Sequence, residues 1–478
     1  MRGLIVGALV LICGSISYGQ NSVLSDTLSL DSIQSRIVEI NRIIIIGNKT
    51  TRDHIIAREL SVKAGDTINL KKLTLQLPRD RERVYNLRLF NTVSIRTLEL
   101  SVNRIDLLVE VSERWYTFPV PIFELSDRNF NEWWQTYNHD LSRINYGLRL
   151  YQYNFRGRNE TLRLTAQFGF TRNFELIYRI PNLDKQQKHG LVIAFDFSEP
   201  KNLAYFTDDH KLSFLRTRET LRETLGAGVS YSFRRSFYET HTFSATYRDS
   251  QVADSIVSLN PYYYKFNSTT QRFGTLSYQF VSDHRDIQAY PLKGYRFSAF
   301  VSQVGLGISE DANQLEFNVT HAQHMDLGKN YYLSNFSSIY LSTPRDQPYS
   351  LFGALGYQKQ FMRGYELNVI EGPLYFLNKT TFKKLIFSRT WNVDGIAIEQ
   401  FQYFPLAIYL KSYADFGYVK NYPLYEENQI NNRLSNRFLI GVGLGIDVVT
   451  VYDTVLRFEY SLTREGIGGF FFHIKKEF

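Results

Sequence analysis

Arg363 stands in the run Phe361-Met362-Arg363-Gly364-Tyr365-Glu366. A guanidinium beside a glycine can be aimed along a tightly turned backbone, because glycine tolerates conformations other residues avoid. Its best target is a carboxylate, which it can grip with two parallel hydrogen bonds. Asp415 offers one. Within Leu406–Tyr418, the apolar Ile408, Leu410, Ala414 and Phe416 share one face of a strand. Lys411, Tyr413, Asp415 and Gly417 share the other. The chemistry available is non-covalent: an ion pair that pins a loop to a strand. On spacing alone, a solvated arginine in a surface loop is the more ordinary outcome.

Other chemistries find no support. The chain has no His-Glu-x-x-His and no Gly-x-Ser-x-Gly. His321 and His324 are three apart, hence on opposite faces of a strand. The glycines of Gly441-Val-Gly-Leu-Gly445 keep strand spacing and do not form a phosphate loop; small residues there make room for a loop or neighbouring aromatics. The single cysteine, Cys13, rules out an intramolecular disulfide and any multi-cysteine metal site. No enzyme activity, cofactor or metal is expected.

The elements that must position Arg363 and Asp415 follow from composition and period. Of 478 residues, 44% are hydrophobic and 15% aromatic, with Phe 36 and Tyr 33 against Trp 4. That bias favours strands. Beyond the first 20 residues no uncharged apolar run of 18 occurs, so helical membrane spans are excluded. The net charge of +8 is spread singly along the chain, which argues against nucleic acid as a partner.

Residues 1–20 have a charged start, an apolar stretch Leu4–Cys13 and a small-x-small site at Ser17-Tyr18-Gly19, the pattern of a secretory signal peptide. Ile12 before Cys13 weakens a lipoprotein reading. A polar tether covers 21–36. Residues 37–113 predict a small two-layer α+β domain in the order β-α-α-β-β. Its second helix runs from Leu70 to about Leu89, with Pro78 expected to kink or split it and Leu73, Leu75, Val84, Tyr85 and Leu87 available for a core.

From 114 to 478 the helical signal stops and alternation takes over. In Thr161–Phe170 the even positions are apolar or aromatic. A soluble sandwich and an outer-membrane barrel both produce this pattern. Segments of about 9–11 residues, turns alternating short and long, and ionisable groups on the polar faces (Arg163, Lys411, Asp415, Asp447, Arg457, Glu459) favour the barrel. Sixteen segments can be counted, an even number that closes an antiparallel sheet without an edge. The longest connection, about Thr343–Gly372, holds Arg363. The first strand carries Pro119 and Pro121, which cannot donate to a ladder. The last carries Phe470, Phe472, Ile474 and Phe478 on one face. A seam between these strands would have fewer hydrogen bonds; equally, the prolines could merely end a linker.

With these pieces in order, the chain resembles the Omp85 superfamily. The tetrad Met362-Arg363-Gly364-Tyr365 is similar to its Val/Ile-Arg-Gly-Phe/Tyr, with Met a mild departure. Ala414-Asp415-Phe416-Gly417 and Tyr290-Pro291-Leu292-Lys293-Gly294 resemble two further marks. Gly47-Asn48, Gly65-Asp66 and Leu87-Arg88-Leu89-Phe90-Asn91 resemble a POTRA domain. The resemblance implies a transmembrane β-barrel of sixteen antiparallel strands behind one POTRA domain. It implies an Arg363–Asp415 lock on the long loop and a lateral seam at the end strands. The implied role is to capture polypeptide clients through the POTRA domain and insert or export them through or beside the barrel. The partners implied are outer-membrane lipids, unfolded outer-membrane or secreted polypeptides, and accessory periplasmic or lipoprotein subunits. The location implied is the outer membrane of a Gram-negative-type bacterium, with the POTRA domain in the periplasm. A passive solute channel is the alternative.

Overall fold

The structure is a computed structural model that describes residues 36–125, 144–307, 311–357, 360–393 and 395–476. The expected signal peptide, nearly all of the tether, the loop holding Trp133 and Trp134, and Phe478 lie outside the described residues.

The first domain contains β1 (Ile37–Ile46), α1 (Asp53–Ala57), β2 (Thr67–Asn69), α2 (Leu70–Tyr85), β3 (Phe90–Ser101) and β4 (Arg104–Glu113). Its sheet has the order β2-β1-β4-β3, with β1 and β4 parallel. Val38, Ile40, Ile105, Leu107 and Val109 pack with Ile55, Ile56, Leu73 and Val84 from the helices into one dry core. Three details differ from the sequence expectation. A short strand, β2, precedes α2 and pairs with the start of β1. Leu75 is 70% exposed and stands outside the core. Helix α2 is unbroken through Pro78. The proline removes one helical hydrogen bond, but burial of Leu73 and Val84 on either side holds the helix together. Asp80, two residues on, accepts the Ser61 amide at 3.0 Å and the Ser61 hydroxyl at 2.9 Å, tying α2 to the loop after α1.

The remaining chain forms a sixteen-stranded antiparallel sheet, the β-barrel. Its strands are β5 (Thr117–Leu125), β6 (Ile144–Phe155), β7 (Glu160–Gly169), β8 (Arg172–Ile180) and β9 (His189–Glu199), then β12 (Arg222–Arg234), β13 (Glu239–Val252), β14 (Thr270–Asp283), β15 (Gly294–Val304), β16 (Gln314–Gly328) and β17 (Tyr331–Thr343), then β20 (Leu374–Asn392), β21 (Tyr403–Lys420), β22 (Phe438–Thr450), β23 (Thr454–Thr463) and β24 (Gly468–Lys476). Each pairs with its sequence neighbour in this series, and β5 and β24 stand at the two ends of the hydrogen-bonded order. Among the described residues no helix is long and apolar enough to cross a membrane; the strands provide the crossing. Their outward faces are apolar and exposed, as Leu444, Phe470 and Leu410 illustrate. Inward faces carry buried polar groups.

Among the described residues, two paired excursions lie in the long connections: the hairpin β10 (Asn202–Asp208) with β11 (Lys211–Arg216), and the two-residue pair β18 (Ala354–Leu355) with β19 (Ile370–Glu371). The described connections also hold the short helices α3 (Asp254–Leu259) and α4 (Pro423–Glu427). At the opposite end of the barrel the short turns meet the first domain. Arg234 places two hydrogen bonds on Glu59, at 2.6 and 2.8 Å. Arg114 reaches Asp453 at 2.7 Å. Asn86 donates to the carbonyl of Asp286 at 2.7 Å and accepts from the amide of Gln288 at 3.0 Å.

Candidate functional site

The connection between β17 and β20, here loop 6, turns back into the barrel. The fold that permits this is local. Gly364 has φ +90°, a left-handed backbone that favours glycine. On the facing wall, Gly441 approaches so closely that an added Cβ would stand 2.1 Å from the Arg363 carbonyl oxygen. Any side chain at 441 would expel the loop tip.

Arg363 is buried against β21. Its Nε donates to Asp415 Oδ2 at 2.9 Å, and a second guanidinium nitrogen bonds Asp415 Oδ1. Its backbone N–H also reaches Oδ2, at 3.1 Å. A third side-chain bond runs to the Thr381 hydroxyl at 3.0 Å. The guanidinium lies 3.9 Å above the centre of the Tyr413 ring, a cation–π contact strengthened by exclusion of water. Asp415 is completely buried. Met362 is buried beside Gly417, its sulfur close to where a Cβ at 417 would stand. Tyr365 is buried and donates to Glu465 at 2.7 Å. The structure thus brings Met362, Arg363, Gly364, Tyr365, Asp415 and Gly417 into one cluster.

The pair is one end of a longer charged network. Lys411 lies 2.7 Å from Glu459 Oε1 and also bonds Asp447. Asp447 accepts the hydroxyl of Tyr290 at 2.9 Å. Tyr290 begins the Tyr290–Gly294 turn, which belongs to the opposite end of the barrel, so polar contacts run from the loop-6 tip to that turn. The strand register explains how the wall holds such large groups. Lys411, Tyr413 and Asp415 on β21 face Gly445, Gly443 and Gly441 on β22. Each bulky lumen residue sits opposite a residue without a side chain. The glycine alternation in the sequence carried this signal, and the strand period placed Tyr413 on the Asp415 face; the contacts of Thr381 with Arg363 and of Tyr290 with Asp447 had none.

The far-end loops close over loop 6. Glu371, on β19, accepts the Thr207 hydroxyl at 3.0 Å and the Tyr425 hydroxyl at 2.9 Å, and also bonds Tyr357. Burial raises its carboxyl above the ordinary range, although these hydrogen bonds oppose the rise. His210, in the β10–β11 turn, accepts the Leu434 amide on Nε2 at 2.9 Å, and its carbonyl accepts the Val369 amide at 2.8 Å. Three connections therefore interlock at one end.

The other expected residues lie apart from this cluster. Pro119 and Pro121 are on β5, in register with Leu150 and Leu148 of β6. Phe470, Phe472 and Ile474 are on β24, all strongly exposed on the outer face.

Residues 38–114 match the family described as POTRA, surface antigen variable number repeat. Residues 154–478 match the Omp85 superfamily domain. Among curated proteins, none matches the chain. Among solved structures, CdiB from Escherichia coli is similar at 9% identity, covering 91% of this chain and 75% of that one, with a TM-score of 0.52. BamA from Haemophilus ducreyi, in a form lacking POTRA domains 1–3, is 14% identical over 91% of this chain and 85% of that one, with a TM-score of 0.48. The Escherichia coli likeness supports the fold; the family match covers more than half of the sequence. With a POTRA domain docked on a sixteen-strand barrel and a loop pinned inside it, the chain belongs to the Omp85 superfamily.

Proposed function

We propose that this protein assembles or translocates polypeptides at the outer membrane of a Gram-negative-type bacterium. Membership of the Omp85 superfamily carries this reading. In it, the POTRA domain faces the periplasm and captures an extended client by adding a strand to its sheet. The twelve-residue β3 at the edge of that sheet is a suitable template. The end strands β5 and β24 form a lateral seam. Pro119 and Pro121 weaken it by withholding N–H donors, and Phe470, Phe472 and Ile474 meet the lipid beside it. Arg363 and Asp415 hold loop 6 in the lumen and stiffen the wall next to the seam. The driving force is the client's own burial of apolar surface and pairing of its backbone in lipid. No nucleotide is required. Residues 1–20 act as the export signal and 21–36 as a tether. A loop pinned inside the lumen also argues against a steadily open solute channel.

Depletion followed by quantitative outer-membrane proteomics tests the reading. Loss of a defined set of barrels or secreted proteins is expected. Wild type should restore the set, and an Arg363→Ala/Asp415→Ala variant that still inserts should not. An unchanged proteome with altered solute uptake would reject the assembly role in favour of a channel.

A further inference from the structure

We propose that Glu366, Glu459 and His473 bind one divalent transition-metal ion of the zinc class. The three residues come from three elements: loop 6, β23 and β24. One ligand atom from each lies within 4.8 Å of the other two. His473 Nε2 is 3.9 Å from Glu366 Oε1 and 3.8 Å from Glu459 Oε2. These separations are too long for hydrogen bonds. They suit neighbours on a common ion: with zinc bonds of about 2.0–2.2 Å, two ligands of a tetrahedral site stand roughly 3.4 Å apart. His473 would close on each carboxylate by about half an ångström, and the two carboxylate oxygens, which lie within 4.8 Å of each other, by at most about 1.4 Å.

The groups are also left wanting a partner. The Glu366 side chain is only 8% exposed. Its Oε2 accepts the Gly364 amide at 2.7 Å, while Oε1 points at His473 with no hydrogen bond. His473 Nε2 is likewise shut from solvent and unbonded. Buried polar atoms without partners are costly, and a ligand is one resolution. The third carboxylate is divided in the same way. Glu459 Oε1 is held by Lys411, which leaves Oε2 for the site. Phe361 stacks on the imidazole at 5.1 Å with rings 19° apart, fixing its direction. One imidazole with two carboxylates suits zinc, iron or manganese better than calcium or magnesium, which prefer all-oxygen sets. Three protein ligands leave a fourth position for water.

Such an ion would bolt the last strand to the loop that Arg363 pins. Its binding does not depend on the proposed client role. The test uses the full chain in detergent, stripped with a chelator and then equilibrated with zinc alone, with uptake measured by elemental analysis. Wild type should retain one equivalent. His473→Ala should lose it, and so should Glu366→Gln, whose amide oxygen can keep the Gly364 bond while its nitrogen faces the histidine. Heat-modifiable gel mobility reports whether each variant is folded. If His473→Ala does not fold, Glu366→Gln decides. Wild type that retains no zinc overturns the proposal. So does a folded variant that retains as much as wild type, since the uptake would then belong to other histidines.

Discussion

The POTRA domain and the barrel both alternate residues along their strands, yet they bury opposite things. In the POTRA domain Ile40, Ile105 and Leu107 are fully enclosed, and the core they form is apolar. In the barrel Leu444 and Phe470 are more than 60% exposed, while Lys411 is 3% exposed and Asp415 fully buried. The period is the same because strand geometry is the same. The difference is the solvent. Water outside the POTRA domain drives apolar groups inward. Lipid outside the barrel removes that drive, so polar groups collect in the lumen and must satisfy one another. Stability should therefore rest on apolar packing in one region and on a charged network in the other.

The largest effect should come from breaking that network. Arg363→Ala leaves Asp415 buried without its cation, and a broken buried pair costs about 3–5 kcal/mol. Asp415→Ala should cost a similar amount. The double variant should cost little more than either alone, because the two side chains act as a unit. Denaturant unfolding of the barrel in lipid vesicles measures all three. Strictly additive losses would mean that the pair is not the unit described here.

In the POTRA domain the equivalent break is apolar. Leu73→Ala empties a fully enclosed core position, and such truncations cost about 2–5 kcal/mol. The POTRA transition should move and the barrel transition should stay. Leu75→Ala, on the same helix but exposed, should change little. Equal effects at 73 and 75 would contradict the packing.

The lipid face gives the reverse test. Leu444 lies mid-strand on β22 and faces outward. Leu444→Arg should destabilise the barrel by about 2–4 kcal/mol if it meets the bilayer centre. On a water-facing surface the same change would be close to neutral. A neutral result would therefore remove the inside-out reading of the wall.

The sequence carried some of this contrast and not the rest, for physical reasons. Ten-residue alternation is a local property, so the sixteen strands could be counted before any contact was known. It also placed Asp415 and Lys411 on a common face and turned the Gly441–Gly445 glycines towards the same lumen; which glycine meets which side chain came only with the register. The polar residues themselves betrayed the barrel, because a dry core would not hold Arg457, Glu459 and Asp447 together. Strand β2 was hidden because three residues carry no period. The unbroken helix through Pro78 was hidden because packing around Leu73 and Val84 overrides a local breaker. The interlocked loops were hidden most deeply. Glu371 meets Thr207 and Tyr425 only because three distant connections converge. Glu366 and His473 are separated by most of the C-terminal wall, and no spacing rule joins them.

Those loops form a third environment, with enclosed polar contacts outside the membrane, and they allow the smallest and most local test. Burial, followed by the nearby Arg433, pushes His210 down to about 4. Its Nε2 accepts the Leu434 amide, which only a neutral ring can do. An unfolded histidine takes up its proton near pH 6.5. The cap should therefore keep its full stability above about pH 6.5 and lose it progressively as the pH falls towards about 4, where the folded form would also protonate. Limited proteolysis of the loops across that range should show cleavage near the β10–β11 turn rising on acidification, with the barrel strands still protected. His210→Gln should flatten the profile, because its amide oxygen can accept from Leu434 but does not titrate in this range. A wild-type profile as flat as the variant's would show that His210 does not hold the cap.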